Sequence, residues 1–449
     1  MQKITDFILK MNRSMVVGLS FIGIILIGAV LLMLPISHTN GEWMPFIDAL
    51  FTATSATCVV GLIIEDTGTY FNLLGQLIII LLIQIGGVGV MTLTTMIILG
   101  MGKKLGLKER LLIQEALNQD GPAGVINLAK RMLRYTAVIE LFFGTVLALY
   151  WYDTTDLGLK AIYFGYWHSI SAFCNGGFDL MGNFSSLTAF AEDWVVNICV
   201  MSLITLGGLG FAVEGEILHK HNWRKFNLQT KVVILGYLIL SLGGGLIIWL
   251  FEAGNMDTIG GLSESSQFIA SLFQSVTCRT AGFNTVDVSL MREDTLFLMM
   301  ILMFIGGAPA STAGGLKITT TAVLIMSTVA FLRGRKDVVI FHKRISEDVI
   351  FKSMGVFVLC VLWMGIAFAG LLVFNDTHKH FHLILCELFS AFGTVGLGVG
   401  ITSEWNTICK MILIITMFIG RIGILTFTMS IVSKKPDKLR YPSEDMIIG

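Results

Sequence analysis

The chain has 449 residues, of which 54% are hydrophobic and only 14% are charged, with 31 basic and 31 acidic side chains. A soluble surface needs about 25% charged residues, so this composition excludes a soluble multidomain protein. The seven cysteines form no CxxC pair, which argues against a zinc site or a disulfide framework. We predict an all-α polytopic protein of the cell membrane that binds no nucleic acid.

A three-part pattern recurs along the chain at intervals of about 110 residues, and such a period indicates a repeat architecture. In each copy a long apolar run, a short one and a second long one follow one another. A helix needs about 20 apolar residues to span a bilayer, so the short runs fit re-entrant half-helices. The runs are 14–34, 46–57 and 73–101; 125–152, 162–173 and 194–218; 232–251, 266–277 and 295–332; and 353–374, 381–392 and 407–432.

This pattern predicts four helix–pore-loop–helix units around one central ion pore, with eight spans in total. The units divide the chain into pore repeats at 1–102, 103–220, 221–334 and 335–432, followed by a C-terminal tail at 433–449. Of the 31 Lys and Arg residues, 24 lie on one side of the predicted spans. By the positive-inside rule, that side is cytoplasmic and contains both termini. The opposite loops carry acidic residues, which either concentrate cations at the mouth or are ordinary solvated side chains.

A glycine-containing segment follows each half-helix and is the candidate selectivity filter. The fourth includes the start of the sequence TVGLG at 394–398. This sequence differs by one residue from the TVGYG filter of potassium channels, whose carbonyls replace the hydration shell of the ion. The candidate filter residues are Cys58, Val59, Val60 and Gly61; Cys174, Asn175, Gly176 and Gly177; Arg279, Thr280, Ala281 and Gly282; and Gly393, Thr394, Val395 and Gly396. We expect K⁺ to bind at the closing glycines Gly61, Gly177, Gly282 and Gly396, with Arg279 pointing away to brace its half-helix.

A Gly-Gly motif recurs in the second span of each repeat, where small residues let helices approach closely. Its third copy opens a stretch that is unfavourable for helix, because interior Gly and Pro cost about 1 and 3 kcal/mol relative to Ala. We expect this intramembrane loop to interrupt the third repeat alone and to gate the pore. The candidate gate residues are Gly306, Gly307, Ala308, Pro309, Ala310, Ser311, Thr312, Ala313, Gly314, Gly315, Leu316 and Lys317, together with Arg421 in the fourth copy.

Two charged residues lie within apolar spans. Arg421 is a tether for loop carbonyls, a cationic barrier in the pore, or both, since a buried Arg is costly and indicates function. For Glu140 we favour a structural interpretation, as a partner for a polar helix face. Cys58, Cys174 and Cys278 lie beside filter segments, where packing is a better explanation than a metal cluster.

This constellation resembles the Ktr/Trk/HKT superfamily of potassium transporters, and within it the Ktr (KtrB-like) membrane subunit, because Met1–Arg13 leads directly into the first repeat. The resemblance implies a homodimer with one pore per subunit, docked on a cytosolic octameric ring of RCK (KtrA-like) subunits. ATP on that ring would favour activity and ADP inactivity. It also implies K⁺ as substrate, Na⁺ as a candidate activator, and no cofactor in this chain. The first two filter segments depart from TVG.

The predicted function is therefore the potassium-translocating subunit of a Ktr-type uptake system. The alternative is a sodium- or proton-coupled secondary cation symporter with alternating access. Such symporters contain broken helices in corresponding halves, so a single interrupted repeat favours the pore. An enzyme is not indicated, because the spans lack acid–base or metal-ligand clusters. His378, His380 and His382 belong to a polar loop, which either binds metal or is simply solvated.

Overall fold

The structure is a computed structural model that describes residues 13–89, 125–375, 379–424 and 427–428. Its α-helices are α1 (Arg13–Met33), α2 (Phe46–Thr57), α3 (Leu73–Val88), α4 (Val125–Thr154), α5 (Lys160–Phe173), α6 (Trp194–Leu209), α7 (Phe211–His219), α8 (Leu228–Glu252), α9 (Glu264–Thr277), α10 (Glu293–Phe304), α11 (Ile318–Leu332), α12 (Glu347–Phe374), α13 (Phe381–Gly393) and α14 (Thr407–Ile422). A two-stranded antiparallel hairpin joins α11 to α12, with strands β1 (Val339–Ile340) and β2 (Lys343–Arg344). Residues 1–12, 90–124, 376–378, 425–426 and 429–449 lie outside the described residues; they include most of the predicted connection between the first two repeats, His378 and the predicted tail at 433–449.

A long helix, a short helix and a further helix follow one another four times in the described chain. The short helices α2, α5, α9 and α13 contain 12 to 14 residues. We call each set of three helices a triplet; the triplets are α1–α3, α4–α6, α8–α10 and α12–α14. A polar side chain caps the start of the third helix in three of them. Asn72, Asp193 and Asn406 accept hydrogen bonds from backbone N–H groups of the first turn of α3, α6 and α14. Such N-caps satisfy donors that a helix end otherwise leaves unpaired.

The first helices of the four triplets are the long apolar ones. Among the described residues, α1, α4, α8 and α12 are each long and apolar enough to cross a membrane. The third helices are shorter: α3, α6 and α14 have 16 residues each. At 1.5 Å per residue that is about 24 Å, less than the hydrocarbon thickness of about 30 Å.

The prediction that only the third repeat is interrupted is wrong. Helices α3, α6 and α14 end at Gly89, Gly210 and Gly423, whose φ values are 88° to 92° and ψ values 128° to 133°. At Gly210 the chain turns by 99° into α7. The physical reason is that this backbone conformation is open to glycine and closed to most other residues. In the third triplet the interruption is longer and separates α10 from α11.

The short helices are buried between triplets. Each packs against the third helix of the preceding triplet: α5 on α3, α9 on α6, α13 on α10, and α2 on α14. The last contact joins the end of the chain to its beginning, so the four contacts form a closed cycle. This arrangement brings the C-terminal ends of the four short helices together at the centre of the molecule.

Candidate ion pathway

The four candidate filter glycines meet at the centre of this cycle. A methyl group on Gly61, Gly177, Gly282 or Gly396 would lie 2.7 to 3.3 Å from the Cα atom of a neighbouring filter glycine. Their φ values lie between 68° and 98°. Both the close approach and the backbone conformation require glycine, because a Cβ atom would collide and strain the chain.

One carbonyl oxygen from each segment lies against the closing glycine of the preceding segment in the cycle. The carbonyl oxygen of Gly176 lies 2.9 Å from the position of a methyl group on Gly61, that of Ala281 lies 2.8 Å from one on Gly177, and that of Val395 lies 2.5 Å from one on Gly282. The carbonyl of Val60 makes the matching contact with Gly396. Four carbonyls and four glycines therefore alternate around one axis, an arrangement suited to coordinating a bare cation.

The residue two positions before each closing glycine is also in the left-handed region. Its φ is 56° at Val59, 62° at Asn175, 69° at Thr280 and 52° at Thr394. Three of these residues are β-branched, and this conformation is unusual for such side chains. It persists only where the surrounding structure enforces it, and such strain clusters at functional sites. Every segment thus has the same unusual backbone despite its different sequence.

Hydroxyl groups of the half-helices brace the segments from behind. Ser55 Oγ accepts from the backbone N–H of Gly61 at 3.1 Å, and Ser390 Oγ accepts from that of Gly396 at 3.0 Å. Ser171 Oγ donates to the carbonyl of Phe178 at 2.8 Å. In the third segment Thr277 Oγ1 donates to the carbonyl of Phe283 at 2.6 Å. All four hydroxyls lie in the buried interior.

Arg279 is the charged member of the third segment. Its side chain is fully buried, and Nη2 donates back to the carbonyl of Ser275 on α9 at 3.4 Å. Within the described chain, Nε and Nη1 have no hydrogen-bond partner. Asn175 Nδ2 from the second segment donates to Thr280 Oγ1 at 3.2 Å, which ties the second and third segments together.

The stretch between Phe304 and Ile318 is not helical. Its base is closed by a hydrogen bond from the Gly306 N–H to the Leu316 carbonyl at 2.8 Å. Inside the loop, Lys317 Nζ donates to the carbonyls of Ala313 at 2.6 Å and Gly314 at 3.4 Å. The ammonium therefore satisfies two carbonyls that have no helical partner.

The loop is bound to the broken end of the second triplet, which the sequence did not indicate. The N–H groups of Ala308 and Thr312 donate to the carbonyls of Gly208 at 3.1 Å and Gly207 at 3.2 Å. In return, the Phe211 N–H of α7 donates to the Ala310 carbonyl at 3.2 Å. The break at Gly210 exposes the backbone groups that make these bonds. The available signal in the sequence was the repeated Gly-Gly motif, for which close helix packing was one interpretation.

Arg421 joins three triplets through backbone carbonyls. Nη1 donates to the Thr312 carbonyl of the loop, and Nη2 donates to the carbonyls of Gly86 and, at 3.3 Å, Gly87 on α3. A guanidinium has five donors, so one side chain can serve several acceptors. Its partners are carbonyls, and no carboxylate is among them in the described residues.

The Gly-Gly motifs let the third helices contact the short ones. A methyl group on Gly86, Gly207 or Gly420 would collide with the carbonyl oxygen of Thr57, Phe173 or Phe392, respectively. In each case the carbonyl belongs to the end of the short helix in the same triplet. The motif therefore has a packing role in these three copies, beside its role at the loop.

Acidic residues lie near the start of α2 and after the first two filter segments, and Asp48 and Asp66 have partners there. Asp48 pairs with Lys410 at 2.6 Å, which links the first and fourth triplets. Asp66 accepts from the N–H groups of Thr69 at 2.9 Å and Phe184 at 3.0 Å. Burial raises the pKa of Asp179 to about 7, with the Met181 N–H opposing this and Asp66 adding to it. Burial and then Asp48 raise the pKa of Glu65.

Comparison with known proteins identifies the family. The family described as "TrkH: Cation transport protein" matches residues 6–439. The chain is 43% identical to "Ktr system potassium uptake protein B" of Bacillus subtilis, over 98% of this chain and 97% of that protein. It is 38% identical to "Ktr system potassium uptake protein D" of the same species, over 100% and 99%.

The helical membrane fold predicted from the sequence is confirmed by a solved structure. The crystal structure of the potassium transporter TrkH from Vibrio parahaemolyticus matches with a TM-score of 0.74 at 18% identity, covering 94% of this chain and 86% of that one. The resemblance inferred from the filter glycines, the loop and Arg421 is confirmed by the family match over nearly the whole length. The chain belongs to the TrkH family of cation transport proteins and is a transporter of the Ktr/TrkH type, not an enzyme.

Proposed function

We propose that this chain is the potassium-translocating membrane subunit of a Ktr-type K⁺ uptake system. The observation that carries the proposal is the closed ring of four filter glycines and four carbonyls at the centre of the molecule. The names of relatives at 43% and 38% identity, both Ktr system potassium uptake proteins, support it. The four triplets correspond to pore repeats with boundaries near residues 102, 220 and 334, and a fourth repeat that ends near 432.

In the proposed mechanism K⁺ loses its hydration shell between the four filter segments. The carbonyl oxygens of Val60, Gly176, Ala281 and Val395 lie beside the closing glycines of neighbouring segments, and we infer that they contact the ion there. The carbonyl ends of four short helices point toward the same centre, and each helix C-terminus carries roughly −0.5 charge. Both features favour a dehydrated cation, and K⁺/Na⁺ discrimination depends on the size and field of the carbonyl cage.

The loop at 306–317 is the proposed gate, with Arg421 as its latch. Support comes from the non-helical backbone and from the Arg421–Thr312 bond, which connects the loop to the fourth triplet. A guanidinium near a cation path is also an electrostatic barrier. Opening would move the loop away from Arg421 and from the Gly207 and Gly208 carbonyls.

We further propose that the chain forms a homodimer on a cytosolic octameric ring of nucleotide-binding RCK subunits, with both termini in the cytoplasm. The family resemblance and the word "system" in the relatives' names support a partner subunit. The distribution of basic residues supports the orientation. Co-purification from native membranes with ATP or ADP present tests this part. Recovery of the chain without any second subunit under both conditions would contradict it.

A symporter with alternating access is the second candidate, because helix breaks at Gly89, Gly210 and Gly423 weaken the sequence argument against it. The convergence of all four segments on one axis still favours a pore. The deciding experiment reconstitutes the chain in liposomes and measures cation flux in opposed K⁺ and Na⁺ gradients. A reversal potential set by K⁺ alone supports the pore. K⁺ flux that requires an inward Na⁺ or proton gradient supports the symporter.

A further inference from the structure

A small polar cluster joins α3 and α4 to the start of the second filter segment. Gln84 on α3 donates through Nε2 to Glu140 Oε2 on α4 at 3.2 Å. The Cys174 thiol, at the start of the second segment, lies 3.3 Å from Gln84 Oε1 and 3.8 Å from Glu140 Oε1. Glu140 is only 8% exposed and Cys174 is fully buried. The three side chains therefore lie within hydrogen-bond distance of one another, and the single thiol hydrogen can be donated to either oxygen.

The backbone around this cluster leaves little room for movement. A methyl group on Gly87 would lie 2.7 Å from Cys174 Sγ, and one on Gly176 would lie 2.8 Å from a methyl group of Ile83. The backbone carbonyl of Glu140 accepts from Ser169 Oγ on α5 at 2.8 Å. Helices α3, α4 and α5 therefore all meet at the start of the second segment.

Among the described residues, the other triplets have no such cluster at the corresponding helix position. Gln84 lies two residues before the first motif glycine, and Thr205, Phe304 and Phe418 occupy that position in the other three triplets. The Thr205 hydroxyl donates to Met201 of its own helix at 2.8 Å, and Phe304 stacks on Phe392 at 5.7 Å. A carboxyl group inside the membrane is costly, so packing alone gives no reason to place one here.

We propose that Glu140 and Gln84 are positioning residues for ion discrimination, which hold Cys174 and thereby set the place of the Gly176 carbonyl beside Gly61. This inference rests on the proposed function of the four segments as a filter. A displaced carbonyl in one of four segments changes the size and field of the cage, to which K⁺/Na⁺ discrimination is sensitive. The two side chains act through Cys174 and do not touch the ion themselves.

The test measures competition by Na⁺ against K⁺ uptake into liposomes that contain the full chain. Glu140→Leu, Gln84→Leu and Cys174→Ala are expected to lower K⁺-over-Na⁺ discrimination by about three- to tenfold, because each leaves a buried partner unsatisfied. Glu140→Gln retains an acceptor and should stay close to the parent. The double variant Glu140→Leu, Gln84→Leu should lower discrimination no further than the more severe of the two single variants, because the effects of residues in one network are not additive.

Thr205→Leu is the matched control, because it places the same side chain at the same helix position in the next triplet. It is expected to leave discrimination unchanged. Gly177→Ser reports on the filter itself. If Gly177→Ser lowers discrimination while folded Gln84→Leu and Cys174→Ala do not, the positioning role is wrong. If Gly177→Ser also has no effect, the filter assignment fails and this inference fails with it. If Glu140→Leu folds poorly, the results for Gln84→Leu and Cys174→Ala decide whether the inference holds.

Discussion

Replacing Arg421 by alanine tests the proposed latch most directly. Its guanidinium donates to Thr312 in the loop and to Gly86 and Gly87 on α3. Alanine removes all three bonds and also removes a positive charge from the proposed cation path. Both losses act in the same direction, so K⁺ flux in the absence of any partner should rise.

The size of the effect follows from the one bond that reaches the loop. A hydrogen bond from a charged donor contributes about 1.5–3 kcal/mol. Since 1.4 kcal/mol corresponds to a factor of ten, losing this bond shifts the closed-to-open ratio of the loop by about ten- to hundredfold. This range concerns the bond alone: loss of the positive charge would add to it, and the bonds from the loop to Gly207, Gly208 and Phe211 remain and still favour the closed state.

The assay is K⁺ flux into liposomes at equal amounts of folded, monodisperse protein. Arg421→Lys keeps the charge and loses the fork geometry, so its flux should lie between those of the parent and Arg421→Ala. Thr312→Val removes a 3.3 Å hydroxyl bond to Phe173 and keeps the carbonyl that Arg421 binds, so a smaller rise is expected. Arg292→Ala is the control, because this exposed arginine pairs with Asp294.

Flux of folded Arg421→Ala that equals or falls below that of the parent would refute the latch. Arg421 would then serve to join α3 and α14, and its loss should lower thermal stability without opening the pore. If the flux of Arg421→Lys rises as much as that of Arg421→Ala, the geometry of the guanidinium is essential to the latch. The positive charge is then not the main barrier, because lysine retains it.

Three further predictions concern the filter, the loop and pH. Gly61→Ser should lower K⁺-over-Na⁺ discrimination severalfold, because a Cβ at φ 98° would lie 2.9 Å from Gly177; unchanged competition by Na⁺ in folded protein would contradict the filter assignment. Shortening the loop within Gly306–Lys317 should raise flux without a partner, and flux no greater than the parent's would show that the loop is not a gate. For Asp179, burial raises the pKa from 3.8 to about 7. Between pH 3.8 and about 7 the folded protein keeps this carboxyl group protonated, whereas the unfolded chain has lost the proton. The free energy of unfolding therefore falls as the pH rises through this range. Asp179→Asn should flatten this dependence and stabilise the protein at pH 8 by at most about 4 kcal/mol, measured by thermal unfolding in detergent at pH 5 and pH 8. Equal pH dependence in parent and variant would refute this.

The class of protein and the position of the four glycines were predictable from sequence, for physical reasons. A chain with 14% charged residues cannot cover a soluble surface. The repeat identified four glycines as equivalent positions, since each follows an apolar run that is too short to span a bilayer: Gly61, Gly177, Gly282 and Gly396. Gly306 and Pro309 marked the loop because both residues are unfavourable in helices. These are local properties, and local sequence carries them.

The helix breaks at Gly89, Gly210 and Gly423 were not predictable in the same way. Each glycine costs a helix only about 1 kcal/mol, so an apolar run that contains a few glycines still resembles an intact span. What decides the outcome at Gly210 is a neighbour: a methyl group there would lie 2.8 Å from the Pro309 carbonyl, and the Phe211 N–H donates to Ala310. That contact joins residues about one hundred positions apart.

The partners of the intramembrane charges also depended on tertiary structure. Sequence identified Arg421 and Glu140 as costly within the membrane, and a polar partner was expected for Glu140. Only the tertiary arrangement, in which α5 contacts both α3 and α4, brings Gln84 and Cys174 to Glu140. Only the cycle of triplets brings Arg421 to Thr312 and Gly86, because a guanidinium binds whichever carbonyls the fold leaves unpaired within its reach.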